Sequence, residues 1–212
     1  MFHLHIGTGL AGLKSLTSEM DAIDLSNEAS AAFDAGRIDE AISLHQQSLA
    51  LKLRSHPELC IQTGITYNGL GGALLRAGRL EEADESLSKA LLIREEKEGP
   101  LRDVADTRDL MGQLREAQGR FEEAREVRLR GVPNNNIMCG NYDCPTHAVL
   151  PLAKLSACGA CKSVFYCSKT CQKNDWTTRH KTLCKAHMAA SQQATPADTE
   201  PKEPVSQNKT SE

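Results

Sequence analysis

The sequence predicts a mainly α protein in two parts, a helical-repeat solenoid followed by a small cysteine-rich domain. Two observations predict it. One phrase occurs three times, as Ala35-Gly36-Arg37-Ile38-Asp39-Glu40-Ala41, Ala77-Gly78-Arg79-Leu80-Glu81-Glu82-Ala83 and Gln118-Gly119-Arg120-Phe121-Glu122-Glu123-Ala124, with glycines 42 and 41 residues apart. Seven of the eight cysteines fall between Cys139 and Cys184, together with His180, in a 46-residue stretch poor in large apolar side chains. A period near 40 residues belongs to helix–turn–helix arrays whose units cannot bury their apolar faces alone. A segment as small and apolar-poor as the second cannot offset its ordering entropy without a covalent or metal staple.

Residues 1–20 form an N-terminal segment with no basic leader, no apolar core and no small-residue cleavage site, which predicts a protein that is not secreted. No apolar run approaches the roughly 18 residues that a membrane-crossing helix needs. Intracellular placement, cytoplasmic or nuclear, follows, and there close-spaced cysteines read as metal ligands before disulfides. Asn208-Lys209-Thr210 then matches a glycosylation acceptor by chance, and His3-x-His5 is an incidental pair. Net charge is −3 and aromatic content 4%, which argues against a nucleic-acid platform of stacked rings.

Residues 21–131 are predicted to hold three repeats. In each, the glycine supplies a left-handed residue that ends the first helix, and the acidic pair after it lies in the first turn of the next, where the helix dipole favours negative charge. In the middle copy Tyr67, Leu70, Gly71 and Leu74 precede the turn and Ala83, Leu87, Ala90 and Leu91 follow it. This pattern resembles the tetratricopeptide repeat, in the longer form seen in kinesin light chains. The first copy departs by carrying Ala29 and Ala32 for the glycine and bulky residue of the opening helix, and the third by carrying Gly131 for alanine. The resemblance places the first helix of each unit on a concave, peptide-binding face, with Asn68 and Arg76 in the second repeat and Asp106, Asp109, Gln113 and Glu116 in the third. That face is acidic and would meet a basic partner if it is not simply solvated. Cys60, between Leu59 and Ile61, is expected to be a small buried hydrophobe in the opening helix of the second repeat.

Gly131-Val132-Pro133 ends the last repeat helix, with no further amphipathic helix expected after it. Residues 132–188 should then form the cysteine domain, packed on the third repeat as the polar cap that a solenoid end requires. Residues 189–212, rich in Ser, Thr, Gln, Pro, Lys and Glu, should be a disordered tail.

The cysteine domain reads as pairs: Cys139-x4-Cys144, Cys158-x2-Cys161 and Cys167-x3-Cys171, then His180-x3-Cys184. Such spacings let two side chains converge on one tetrahedral zinc, and eight ligands suffice for two ions. With Phe165-Tyr166-Cys167-Ser168, Cys171-Gln172, Asp175-Trp176 and His180-Lys181-x2-Cys184, the segment resembles the MYND-type zinc finger, a zinc-stapled, cross-braced unit. The resemblance implies interleaved ligands: Cys139, Cys144, Cys167 and Cys171 for a first zinc, and Cys158, Cys161, His180 and Cys184 for a second. The first pair is spaced by four residues where two is usual, and eight residues separate Cys171 from His180 where seven is common. His147 is an outside alternative to Cys139 or Cys144. Both zincs, with four protein ligands, would be structural. The resemblance also implies that Gln172 and Trp176 contact a proline-rich peptide, although Trp176 could equally pack the small core, and Gly159 stands where some peptide-binding members have a hydroxyl residue.

Seven Lys/Arg against two Asp across 139–185 give +5, but zinc thiolates lower the assembled domain to about +2, too thin for a nucleic-acid footprint. The order of cysteines and histidine differs from that of a RING-type ubiquitin ligase. Repeats and finger leave no length for a methyl-donor-binding domain, so no enzyme is expected. The function predicted is a zinc-binding protein–protein interaction adaptor. The alternatives are a chromatin or transcriptional regulator touching DNA through the finger, or an accessory subunit of a methyltransferase complex.

Overall fold

The structure is a computed structural model that describes residues 8–97, 99–147 and 149–193. His3, His5, Asn208 and the predicted tail beyond residue 193 lie outside the described residues. Six helices form three antiparallel pairs in chain order: α1 (Thr8–Asp34) with α2 (Ile38–Ser55), α3 (Ile61–Arg76) with α4 (Leu80–Glu96), and α5 (Leu101–Ala117) with α6 (Phe121–Leu129). No helix among the described residues is long and apolar enough to cross a membrane.

The repeated phrase builds the same turn three times. Gly36, Gly78 and Gly119 have φ of 77°, 73° and 77°, the left-handed region where a side chain would be strained. Each following arginine pairs with the glutamate three residues on, at 2.7 Å for Arg37–Glu40 and 2.5 Å for both Arg79–Glu82 and Arg120–Glu123. These exposed pairs set the entry of α2, α4 and α6 and contribute little to stability. Stability comes from one core running through all three repeats, in which Ile42, Leu70, Leu74, Leu87, Met111, Leu114 and Val127 interlock with Ala32, Ala41, Ala73 and Ala83. The small residues let helices approach, and the large ones fill the gap.

Two findings depart from the sequence reading of the repeats. Helix α1 starts at Thr8, well before the predicted onset at residue 21. Cys60 is not inside a helix but is the half-buried N-cap of α3, its Sγ 3.5 Å from Thr63 Oγ1 while Thr63 in turn accepts from the Cys60 N–H. Thr63 three residues on marks a reciprocal cap, a signal that outweighs the flanking Leu59 and Ile61.

After α6 a 3₁₀ turn (Val132–Asn134) leads into two short antiparallel ladders, β1 (Ile137–Met138) with β2 (Val149–Leu150) and β3 (Ser156–Ala157) with β4 (Phe165–Tyr166). Helix α7 (Lys169–Asp175), a π-helical turn (Trp176–His180) and α8 (Lys181–Gln193) follow. Thus an amphipathic helix does follow Pro133, and α8 runs past the predicted boundary at 188. Its inner face is set by Cys184 and Met188, four residues apart and in line with His180 of the preceding turn, and Ala189, Ala190, Gln192 and Gln193 are residues that sustain a helix well.

The cysteine domain does not cap the end of the solenoid alone. It lies against α5 and α6 and reaches back across the concave side, where Tyr142 meets the ring of Phe33 edge-on at 5.9 Å. Arg76 stands over both rings, 5.5 Å from Phe33 and 5.8 Å from Tyr142. On the opposite side His187 of α8 stacks on Phe121 of α6 at 4.1 Å.

Candidate metal centre and its seat on the repeats

The short ladders exist to deliver cysteines. Cys139 follows β1 and Cys167 follows β4, and the two strands are tied by Gly140 N–H donating to Phe165 O at 2.8 Å. Cys144 comes from the loop beyond β1. Cys171 lies in the first turn of α7, whose N-cap Ser168 accepts from the Cys171 N–H at 3.1 Å. Cys144 Sγ is 3.7 Å from Cys167 Sγ, which is 3.6 Å from Cys171 Sγ, and the Cys167 N–H points at Cys139 Sγ.

The second group forms on the other ladder. Cys158 follows β3, where its N–H donates to Val164 O at 2.9 Å, and Cys161 sits in a turn closed by left-handed Lys162. His180 ends the π-helical turn, one turn before Cys184 on α8. Cys158 Sγ is 4.0 Å from Cys184 Sγ, and Cys161 Sγ is 3.4 Å from His180 Nε2. Within each group the four donor atoms lie within 4.8 Å of one another.

Both groups fit a tetrahedral metal. Bonds of about 2.3 Å to a central ion imply ligand separations of about 3.8 Å, which these distances straddle. In the four-sulfur group Cys139 and Cys144 are buried, and burial pushes the thiols of Cys139 and Cys167 upward, so a cation held there would favour their thiolates. His147 stands outside the four-sulfur group, exposed and left-handed at φ 39°. Gln172 and Trp176 are half-buried near the end of α7. Trp176 packs on the cysteine cluster and meets the His180 ring edge-on at 5.9 Å, so part of it is core and part is surface.

Sequence reasoning missed the ionic seat beneath the finger. Arg128 of α6 is 2% exposed and fits over Gly112, where a Cβ would lie 2.6 Å from its Cζ. Its Nε donates to Asp109 Oδ1 at 2.7 Å, and its Nη1 to Glu116 Oε1 at 2.5 Å and to Ser163 O in the finger at 2.9 Å. The other Glu116 oxygen accepts from Arg179 Nη1 at 2.6 Å. Arg179 also grips Asp175 at 3.0 Å through two nitrogens, and Asp175 accepts from Tyr166 at 2.7 Å. Burial raises the Glu116 carboxyl, but Arg128 and Arg179 more than offset it and hold it below the ordinary carboxylate range. The phenol of Tyr166 is pushed up by burial and by Asp175.

The predicted concave-face residues are therefore divided. Asp109, Gln113 and Glu116 are buried under the finger, with Gln113 donating to Asp109 at 2.9 Å. Asn68 donates to Asp106 at 2.9 Å and accepts from Thr107 at 2.8 Å, and these two with Arg76 border what remains open. The available signal was Arg128 itself, a charge on the same face as Phe121, Ala124 and Val127, opposite a glycine.

The family profile of the MYND finger matches residues 138–184, and that of the tetratricopeptide repeat matches 62–127. The finger is similar to that of N-lysine methyltransferase SMYD2 of Gallus gallus, 49% identical over 45 residues, which is 21% of this chain and 10% of that protein. It is 47% identical over 45 residues to N-lysine methyltransferase SMYD2-A of Xenopus laevis, with the same shares covered. With the SET domain and MYND-type zinc finger protein 6 of Schizosaccharomyces pombe it shares 54% identity over 39 residues, 18% of this chain and 8% of that one. The chain thus spans about a tenth of the length of the curated relatives it matches. The two Cys/His groups suit the zinc that MYND fingers bind, and the chain carries a MYND-type zinc finger with tetratricopeptide repeats on its N-terminal side.

Proposed function

We propose that this chain is a non-enzymatic adaptor whose finger, built on two structural zinc ions, and repeats each present a surface to a protein partner. The observation that carries the reading is the completeness of both ligand groups. Four side-chain donors per site leave no open coordination position for water or substrate, so the metal shapes a surface and activates nothing. Cys139, Cys144, Cys167 and Cys171 would hold the first ion, and Cys158, Cys161, His180 and Cys184 the second. The surface they shape carries Gln172 and Trp176, a side-chain amide next to a half-exposed indole, the pairing suited to a proline-rich strand that is already extended.

The second surface is what the finger leaves of the concave side. A cavity of about 490 Å³ between repeats and finger is lined by Asp34, Asp106, Asp143 and Tyr142, with no Lys or Arg among its described lining residues. Cys139 and Cys144 border it too, and a four-thiolate zinc would add a charge of about −2. This groove suits a basic segment, whose apolar stem could lie along the 48%-exposed Tyr142.

Anisotropy titrations at physiological salt with a proline-rich dodecapeptide, a lysine-rich dodecapeptide and a random DNA duplex test the reading. Trp176→Ala is expected to weaken the proline-rich peptide at least about tenfold and leave the lysine-rich one unchanged, and Asp106→Asn the reverse. Salt-sensitive duplex binding with indifference to both peptides would transfer the function to nucleic acid.

A further inference from the structure

We infer that Glu116, a residue of the third repeat, is the positioning carboxylate for His180, so that the solenoid completes a metal site belonging to the finger. The inference rests on the zinc reading above. His180 faces the cysteines through Nε2, 3.4 Å from Cys161 Sγ. Its other nitrogen, Nδ1, is buried and has no hydrogen-bond partner among the described residues, while Glu116 Oε2 stands 3.6 Å away. An imidazole that ligates a metal through Nε2 carries its proton on Nδ1, and in a dry site that proton needs an acceptor. Closing the gap to a normal hydrogen bond takes less than about 1 Å of side-chain adjustment.

Glu116 is built for that role. Its side chain is fully buried and clamped from both ends: Oε1 accepts from Arg128 and from Ser163 Oγ at 3.2 Å, and Oε2 accepts from Arg179. The carboxylate cannot swing away, so it fixes the tautomer and ring orientation that direct the Nε2 lone pair into the sulfur group. Second partners of this kind typically change metal affinity about 10- to 100-fold. Removing Glu116 leaves Arg128 paired with Asp109 and Arg179 paired with Asp175, and Asp109→Asn controls for loosening of the seat.

The test is zinc release from the full chain into excess 4-(2-pyridylazo)resorcinol, followed by absorbance, for Glu116→Met, Glu116→Gln and Asp109→Asn. Total zinc of two equivalents in the wild type checks the underlying metal reading separately. With that in place, Glu116→Met is expected to speed release of one equivalent about 10- to 100-fold and leave the other unchanged. Glu116→Gln, which keeps an acceptor oxygen, should fall between Met and wild type. Asp109→Asn loosens the same seat without facing His180 and should change either rate less than about threefold. A nitrogen-15 spectrum should show a protected Nδ1–H on His180 in the wild type that is lost in Glu116→Met. Unchanged release in Glu116→Met, or equal acceleration in Asp109→Asn, would overturn the assignment.

Discussion

Arg128→Met is expected to destabilise the chain by about 3–5 kcal/mol, the usual consequence of removing one partner from a buried ion pair. Methionine roughly matches the apolar stem of the arginine, so the loss is electrostatic and not a cavity. What remains is Asp109 buried at the seat without its 2.7 Å donor and Glu116 with one clamp in place of two. Ser163 O also loses its donor, which removes the hydrogen bond between α6 and the finger and leaves the His187–Phe121 stack to hold them together. For a chain of this size the melting temperature, measured with zinc in excess, should drop by roughly 6–20 °C. Adding Asp109→Leu to Arg128→Met should recover part of the loss, since an apolar replacement of a buried network costs less than half of one. A drop under 1 °C would mean that water already solvates the guanidinium and that the seat is not dry.

The solenoid was legible because its signals are local and repeated. Gly36, Gly78 and Gly119 end helices for a backbone reason, and Leu70, Leu74, Leu87 and Leu91 bury at the spacing that a helix face requires. The pairing of the metal-ligand candidates was accessible from short spacings, which leave each pair little freedom, while which pairs share an ion is what the resemblance to the MYND finger implies. The seat was not legible. Asp109, Gln113 and Glu116 lie on the inner helix of a repeat, where sequence pattern says only that they face the concave side, not what covers it. Their cover comes from Ser163 and Arg179, 47 and 63 residues beyond Glu116, and no periodicity links such distant positions. Helix α8 was missed for a different reason: Ala189–Gln193 resembles the polar tail in composition, while its helicity is inherited from the His180–Cys184 turn that precedes it.

On the two-zinc reading, the purified chain should carry two equivalents, and stripping them should unfold the finger while sparing the repeats. The finger's own apolar interior is little more than Ile137, Val164, Phe165 and Tyr166, too small to offset the ordering of its loops. Structural zinc in small domains contributes apparent binding energies of about 10–16 kcal/mol per site, so the metal-free finger has nothing of comparable size to hold it. The repeats differ, because Leu74, Leu87, Met111 and Leu114 form a core that contains no finger residue. Far-ultraviolet circular dichroism after chelation should therefore lose only the share of signal due to α7 and α8. Limited proteolysis should cut within 138–184 and leave the first four helices protected, with α5 and α6 intermediate because Arg128 and Glu116 lose Ser163 and Arg179. Cys139→Ser and Cys158→Ser should each remove one equivalent. A finger that stays protease-resistant in excess chelator would sink the metal-staple account, and a single equivalent in the wild type would sink its four-sulfur half, where the ligand pair is spaced by four residues.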